Sequence, residues 1–171
     1  MPRATAAYWD RWYERAEKPI PMGRNASYRM AVDWLDLEGC TLEDWGGGTG
    51  YARRFVQHAT YRLVDGSPSQ WNPDPVELTE YASNSECILI RHVLEHNDDW
   101  ARILANAAGS FRRRMTLVLY TPIQEVTRPV SKPKARVVEY GFALDDIERM
   151  GGPWLLQATC GPETLLFYER A

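Results

Sequence analysis

The run Thr41-Leu42-Glu43-Asp44-Trp45-Gly46-Gly47-Gly48-Thr49-Gly50-Tyr51 decides how the rest of the chain is read. A short strand-like segment ends in an acid, Asp44, glycines follow at 46, 47, 48 and 50, and residues 51–58 are helical in character. Glycine weakens strands and helices, so this density belongs to a loop that needs φ > 0 or a close approach of backbone to a ligand. Where such a loop enters a helix, free N–H groups favour an anionic or carboxylate-bearing ligand. Two readings stand at this point: a nucleotide-cofactor loop and a plain glycine-rich turn. Spacing narrows the first. The dinucleotide pattern G-x-G-x-x-G, counted from Gly46 and Gly48, requires glycine where Tyr51 stands.

Outward from the loop, 171 residues suit one domain (1–171) with a sizeable core. Hydrophobic residues at 44% and charged residues at 25% are ordinary for a globular chain. A net charge of −3 gives no global basic footprint for nucleic acid. Cys40, Cys87 and Cys160 are far apart and lack C-x-x-C pairing, so they read as buried free thiols in a reducing compartment. Arg3, Asp10, Arg11, Glu14 and Arg15 leave no room for a secretory apolar region, and no apolar run approaches a membrane span. The expected location is cytoplasmic. No His/Asp/Glu cluster has metal-ligand spacing, so no metal is expected. Nothing in the sequence sets the oligomeric state.

Along the chain, Tyr8, Trp9, Trp12 and Tyr13 form an aromatic stripe on a predicted helix over 4–17, broken by Pro19 and Pro21. Within 1–24 this segment reads either as a lid over a ligand or as ordinary core packing. A second helix is expected over 26–37 with Asn25 as its cap. Predicted strands at 61–65, 76–81, 87–92 and 115–120 alternate with a helix over 97–109, and residues 66–75 are too rich in Pro, Ser and Asn for a full helix. An irregular segment, 121–142, precedes a short helix over 144–150 and a hairpin-like strand pair, 154–159 and 164–168. This order predicts an α/β fold with a mostly parallel sheet, a C-terminal antiparallel pair and helices on both faces. Glu43 and Trp45 are unusual in the first strand, because an acid near a sheet core needs a partner.

Three features now agree in order. Asp44-x-Gly46-x-Gly48-x-Gly50 resembles motif I of the class I S-adenosyl-L-methionine (SAM) dependent methyltransferases. Asp65 ends the next strand. Arg91-His92-Val93-Leu94-Glu95-His96 resembles the H-V-L-E-H signature after the fourth strand of many small members of that superfamily. Leu117 to Pro122 and Phe142 to Arg149 resemble its fifth strand and following helix. The resemblance covers about residues 25–171 and implies a Rossmann-like methyltransferase sheet.

It also implies a site. In open α/β sheets, ligands sit beyond the carboxyl ends of the strands, near the point where strand order reverses. The implied cofactor contacts come from Asp44, Gly46, Gly47, Gly48, Gly50, Asp65, Gly66, Arg91 and His92, with Glu80 and Tyr81 on the adenine side. Asp65, acceptor-only when ionised, is able to take both ribose hydroxyls. Methyl transfer is an in-line displacement in which alignment does much of the work, and a hydroxyl or ammonium acceptor must lose a proton. His96 is the candidate base, with Glu95 and His92 beside it; the alternative is that they only organise the strand-to-helix turn.

The function implied is transfer of a methyl group to O or N of a small-molecule or sugar-like acceptor. No [DNS]-P-P-[YFW] motif follows the fourth strand, which disfavours nucleic-acid bases. Two alternatives stand beside this reading: a catalytically silent methyltransferase-like binding or regulatory protein, and a protein or nucleic-acid modifier. The second would recruit its target through Arg128, Lys132, Lys134 and Arg136 in the 121–142 segment.

Overall fold

The four apolar residues Cys87 to Ile90 carry no polar interruption, and they form the middle of the sheet, buried on both faces. The computed structural model describes residues 3–131 and 137–170, with side chains from residue 7 onward. Lys132, Lys134 and Arg136 lie outside the described residues. Strand β3 (Cys87–Arg91) runs parallel to β1 (Thr41–Trp45) on one side and to β4 (Arg114–Leu119) on the other. Beyond β1 lies β2 (Thr60–Val64), also parallel. Beyond β4 lie β8 (Glu163–Glu169) and then β7 (Leu156–Cys160), each antiparallel to its neighbour. The sheet order is β2-β1-β3-β4-β8-β7. The mostly parallel sheet with its antiparallel C-terminal pair is the architecture expected from the sequence.

Alternation along the strands divides the core in two. Trp45, Ile88, Ile90, Met115 and Leu117 face α3 (Trp100–Ser110) and α4 (Leu144–Gly151), meeting Ile103, Leu104, Ala107 and Ile147. Leu42, Cys87, Leu89, Val118 and Leu165 face the other way, onto Ala31, Val32 and Leu35 of α2 (Asn25–Leu35) and onto Tyr51 and Ala52. Helices thus cover both faces. The N-terminal helix α1 (Arg3–Glu14) belongs to neither cluster and lies across the strand exits described below.

Several boundaries differ from those the sequence predicts. Residues 51–58 form only a short 3₁₀ helix, Tyr51–Phe55. Asn25 is the first residue of α2 rather than its cap, and its Oδ1 accepts a hydrogen bond from the Tyr51 hydroxyl at 3.1 Å. The 97–109 helix starts at Trp100, after a 3₁₀ turn at Leu94–His96. The 121–142 segment contains a two-residue strand pair, β5 (Arg128–Pro129) and β6 (Tyr140–Gly141).

The largest correction concerns residues 76–81, which form turns and coil rather than a third strand, so the sheet ends at β2. The irregular segment between β2 and β3 is nonetheless pinned. Leu78 enters the core cluster, and Asn106 Nδ2 donates to the carbonyls of Leu78 and Thr79 at 3.0 and 2.9 Å. The Tyr81 ring meets Trp45 edge-on at 5.0 Å.

Here Glu43 finds its partners. Its carboxylate accepts from Trp45 Nε1 at 2.9 Å, from the Tyr81 hydroxyl at 3.1 Å and from Arg62 at 3.2 Å. Three donors offset the cost of burying this carboxylate. The two residues that look out of place in the first strand satisfy one another.

Candidate functional site

The exits of β2, β1, β3 and β4 lie side by side on one edge of the sheet, and a cavity of about 760 Å³ runs across them. Its position is where the strand order turns around β1, the expected place for a ligand in an open α/β sheet. A volume of this size falls inside the range of small-molecule sites, roughly 300–1,000 Å³.

The glycine loop forms its floor. Gly46 and Gly48 hold φ of +71° and +58°, a left-handed conformation that side chains resist. A Cβ on Gly46 would meet Val93 at 2.4 Å, and one on Gly48 would meet the Tyr13 ring at 2.7 Å. These two positions are therefore fixed by the protein's own packing. Asp65 anchors the loop: its Oδ2 accepts from Gly48 N–H and its Oδ1 from Ser67 N–H, each at 2.7 Å. Burial nevertheless leaves its carboxyl raised above the ordinary range. Asp44, fully buried, accepts from the Tyr61 hydroxyl at 2.6 Å, and desolvation pushes its pKa up to about 6.

The β3 exit is built around Arg91. Its Nη2 donates to Glu163 Oε1 at 2.7 Å and to Ser27 Oγ at 3.0 Å, its Nη1 donates to the Met22 carbonyl, and its guanidinium lies 3.8 Å from the Tyr28 ring centroid. One side chain thus ties β3, α2, β8 and the segment before α2 together. Next to it His92 adopts φ +57°, alone in that region among the described non-glycine residues. Its Nδ1 stands 3.3 Å from Arg91 Nη1 and its Nε2 2.8 Å from Glu163 Oε1. Desolvation lowers its pKa, against the opposing pull of Glu163.

The far end of the cavity is aromatic. Trp9 lies 5.0 Å from the His96 ring and stacks on Tyr13 at 5.8 Å. Tyr120 flanks His96 at 5.5 Å, its hydroxyl 3.3 Å from His96 Nε2. Burial drives the His96 pKa down to about 4, so the ring is neutral at pH 7. Asn97, Asp98, Asp99 and Glu139 complete this end. Of the aromatic stripe read from the sequence, Trp9 and Tyr13 line the cavity, whereas Trp12 is 40% exposed.

Of the residues singled out by sequence, Asp44, Gly46, Gly47, Gly48, Asp65, Gly66, Arg91, His92 and His96 come together around this cavity. Gly50, Glu80, Tyr81 and Glu95 do not line it. Gly50 starts the 3₁₀ helix in a left-handed conformation. Tyr81 is turned onto Trp45 and Glu43, Glu80 is exposed, and the segment reaches the cavity through Glu77, Leu78 and Thr79 instead. Sequence reasoning missed Tyr120, Glu139 and Glu163. Tyr120 and Glu163 were discoverable in principle, since each directly adjoins an apolar strand at the edge that carries the site; Glu139 has no such signal.

Glu95 is fully buried below the cavity wall, where its Oε1 accepts from Tyr120 N–H at 2.7 Å and fixes the exit of β4. Its Oε2 has no partner, and desolvation pushes the carboxyl up to about 7. The folded chain therefore holds a proton that the unfolded chain releases near pH 4.5, and this group's contribution to stability falls as pH rises from about 4.5 to 7. Glu95→Gln removes that dependence. Between pH 5.5 and 8, thermal melts of the variant are expected to gain on the wild type by an amount on the order of 2 kcal/mol. Parallel pH profiles for the two proteins would show that Glu95 is ionised without strain.

Among the described residues, no group of three or more His, Cys, Asp or Glu is arranged to hold a metal ion, and no helix is long and apolar enough to cross a membrane.

No protein-family model and no curated protein matches the sequence. Solved structures do. The 1,6-didemethyltoxoflavin-N1-methyltransferase of Burkholderia thailandensis, crystallised with bound 1,6-didemethyltoxoflavin and S-adenosylhomocysteine, aligns at 16% identity and a TM-score of 0.68, covering 85% of this chain and 78% of that one. Magnesium protoporphyrin IX methyltransferase of Synechocystis PCC 6803, with bound SAM, aligns at 12% identity and 0.65 over 98% and 97%. A Rhodobacter sphaeroides protein named for Zn-dependent alcohol dehydrogenases aligns at 10% identity and 0.69 over 98% of both chains. At such identities the likeness speaks to architecture. Together with the strand order and the helices on both faces, it shows that this chain has the fold of the class I SAM-dependent methyltransferases.

Proposed function

We propose that the protein is a SAM-dependent methyltransferase that moves a methyl group to O or N of a small-molecule or sugar-like acceptor. The observation that carries this reading is the cavity across the strand exits, with a left-handed glycine loop as its floor and a buried aspartate at the end of β2. The residues present fit the cofactor. Gly46, Gly47 and Gly48 line the cavity on the side proposed for the methionine half, and Asp65 retains acceptor capacity for ribose hydroxyls beyond the two N–H groups it already holds. Glu77, Leu78 and Thr79 border the adenine side in the place expected of Glu80 and Tyr81. When bound, SAM supplies an electrophilic methyl group on a sulfonium. Trp9, His96 and Tyr120 then form the wall that positions an acceptor for in-line attack.

Calorimetric titration with SAM, under reducing conditions near neutral pH, is expected to give a dissociation constant on the order of micromolar. A methyl-transfer screen against metabolite and glycan pools follows from it. A flat titration would end the enzyme reading. The silent-fold alternative draws on the loss of the strand beyond β2, which thins the adenine side; SAM binding without any turnover across the screen would favour it. A cytoplasmic location belongs to the same proposal, in keeping with the free thiols of Cys40, Cys87 and Cys160.

A further inference from the structure

We infer that the methyl acceptor is a planar nitrogen base whose attacking nitrogen carries no proton, and that the Trp9 end of the cavity is built to hold the cation its methylation creates. This rests on the methyltransferase reading of the same cavity.

Among the described lining residues, the charge is one-sided. Asp44 and Asp65 stand at the glycine loop with Glu77 nearby, and Asp98, Asp99 and Glu139 stand at the aromatic end. With Glu163 that makes seven carboxylates, against only two guanidinium groups, Arg24 and Arg91, among the described lining residues. Arg91 is already committed to Glu163 and to the Met22 carbonyl. Glu163, its side chain 2% exposed, still lines the cavity with Oε2 lacking any partner. A buried carboxylate oxygen in that state calls for a donor or a positive charge. A cleft lined by one sign of charge concentrates ligands of the opposite sign and disfavours an acceptor that carries a phosphate or carboxylate.

The shape and chemistry agree with the charge. Trp9 and Tyr120 flank His96 with their rings 5.0 and 5.5 Å from it, a set of flat surfaces suited to a flat acceptor. Aromatic faces also attract cations. What this end lacks is a histidine free to act as the base. The two His92 nitrogens face Arg91 and Glu163, and His96, driven down to about 4 by burial, is a weak proton acceptor at pH 7. A hydroxyl acceptor needs its proton taken. An unprotonated ring nitrogen does not: its lone pair forms the new C–N bond, and the C–S bond of the sulfonium donor breaks with its electrons passing to sulfur. Positive charge leaves sulfur and arrives on nitrogen, no proton is released, and the products are a neutral thioether and a methylated cation. The carboxylates face positive charge before and after the step.

Three bicyclic probes of matched size test this by calorimetry in the presence of S-adenosylhomocysteine: N-methylisoquinolinium, 2-naphthol and 2-naphthoate. The cation is expected to bind at least about tenfold more tightly than the carboxylate. Glu139→Gln combined with Asp99→Asn, both at solvent-reachable positions, is expected to weaken the cation by about fivefold or more while leaving 2-naphthol unchanged. In turnover assays, isoquinoline is expected to be methylated and 2-naphthol not. Naphthoate binding as well as the cation, or methylation of naphthol in preference to isoquinoline, overturns the inference. If S-adenosylhomocysteine itself fails to bind, the methyltransferase reading falls and takes this one with it. If it binds and the cation preference is absent, only the acceptor assignment falls.

Discussion

Asp65→Ala loses about a hundredfold in affinity for SAM when the variant is titrated beside the wild type. The physical reason is that one carboxylate serves two purposes. It holds Gly48 N–H and Ser67 N–H at 2.7 Å each, fixing the glycine loop against the end of β2, and it faces the cavity where ribose hydroxyls would arrive. Hydrogen bonds to a charged group are worth roughly 1.5–3 kcal/mol each, and losing the equivalent of one to two corresponds to about 3 kcal/mol, or two orders of magnitude in affinity. Asp65→Asn, which keeps one acceptor oxygen, is expected to fall between the two. Affinity within a factor of about two of wild type in the alanine variant would remove Asp65 from the site.

Arg91→Leu is expected to cost about 10 °C in melting temperature. Removing the guanidinium strands Glu163 as a buried carboxylate and frees Ser27 and the Met22 carbonyl at the same time. Breaking a buried pair from one side typically costs 3–5 kcal/mol, and each kcal/mol moves the midpoint of a domain this size by about 2–4 °C. The double variant Arg91→Leu/Glu163→Leu removes both charges and is expected to recover about half of that loss. A single-variant shift below about 2 °C, or a double variant no better than the single, would show that the cluster is not an interlocked unit. His92 stands to relax in these variants too, since Arg91 and Glu163 are its neighbours in a left-handed backbone conformation.

The fold was legible where local and long-range preferences point the same way. Cys87 to Ile90 and Met115 to Leu119 have no use outside a doubly covered sheet, and Gly46 and Gly48 have no use outside a turn with positive φ. Residues 76–81 misled for the opposite reason. Val76 and Leu78 are apolar in alternation because they plug the core over α3, a need that coil meets as well as strand does. Glu43 was opaque because two of its donors, Arg62 and Tyr81, are distant in sequence, and the third, Trp45, reads as bulk rather than as an indole N–H. The candidate site divided along the same line. Residues at strand exits were found because topology puts them at one edge. Tyr120, Glu139 and Glu163 were missed because their meaning comes from what β4 and β8 bring beside β3.

The missing strand beyond β2 has a consequence for how the molecule opens. β2 is the outermost strand on its side, with one backbone edge unpaired and Thr60 and Arg62 facing out. Such strands detach at lower free energy than the middle of a sheet, so fluctuations that leave β3 and β4 intact reach β2, like β7 at the opposite edge, before them. Asp65 is the next residue after that strand. The residue that anchors the glycine loop thus follows directly on one of the sheet's two edge strands, and a ligand seated on that loop would act as the clasp the absent neighbour would have been.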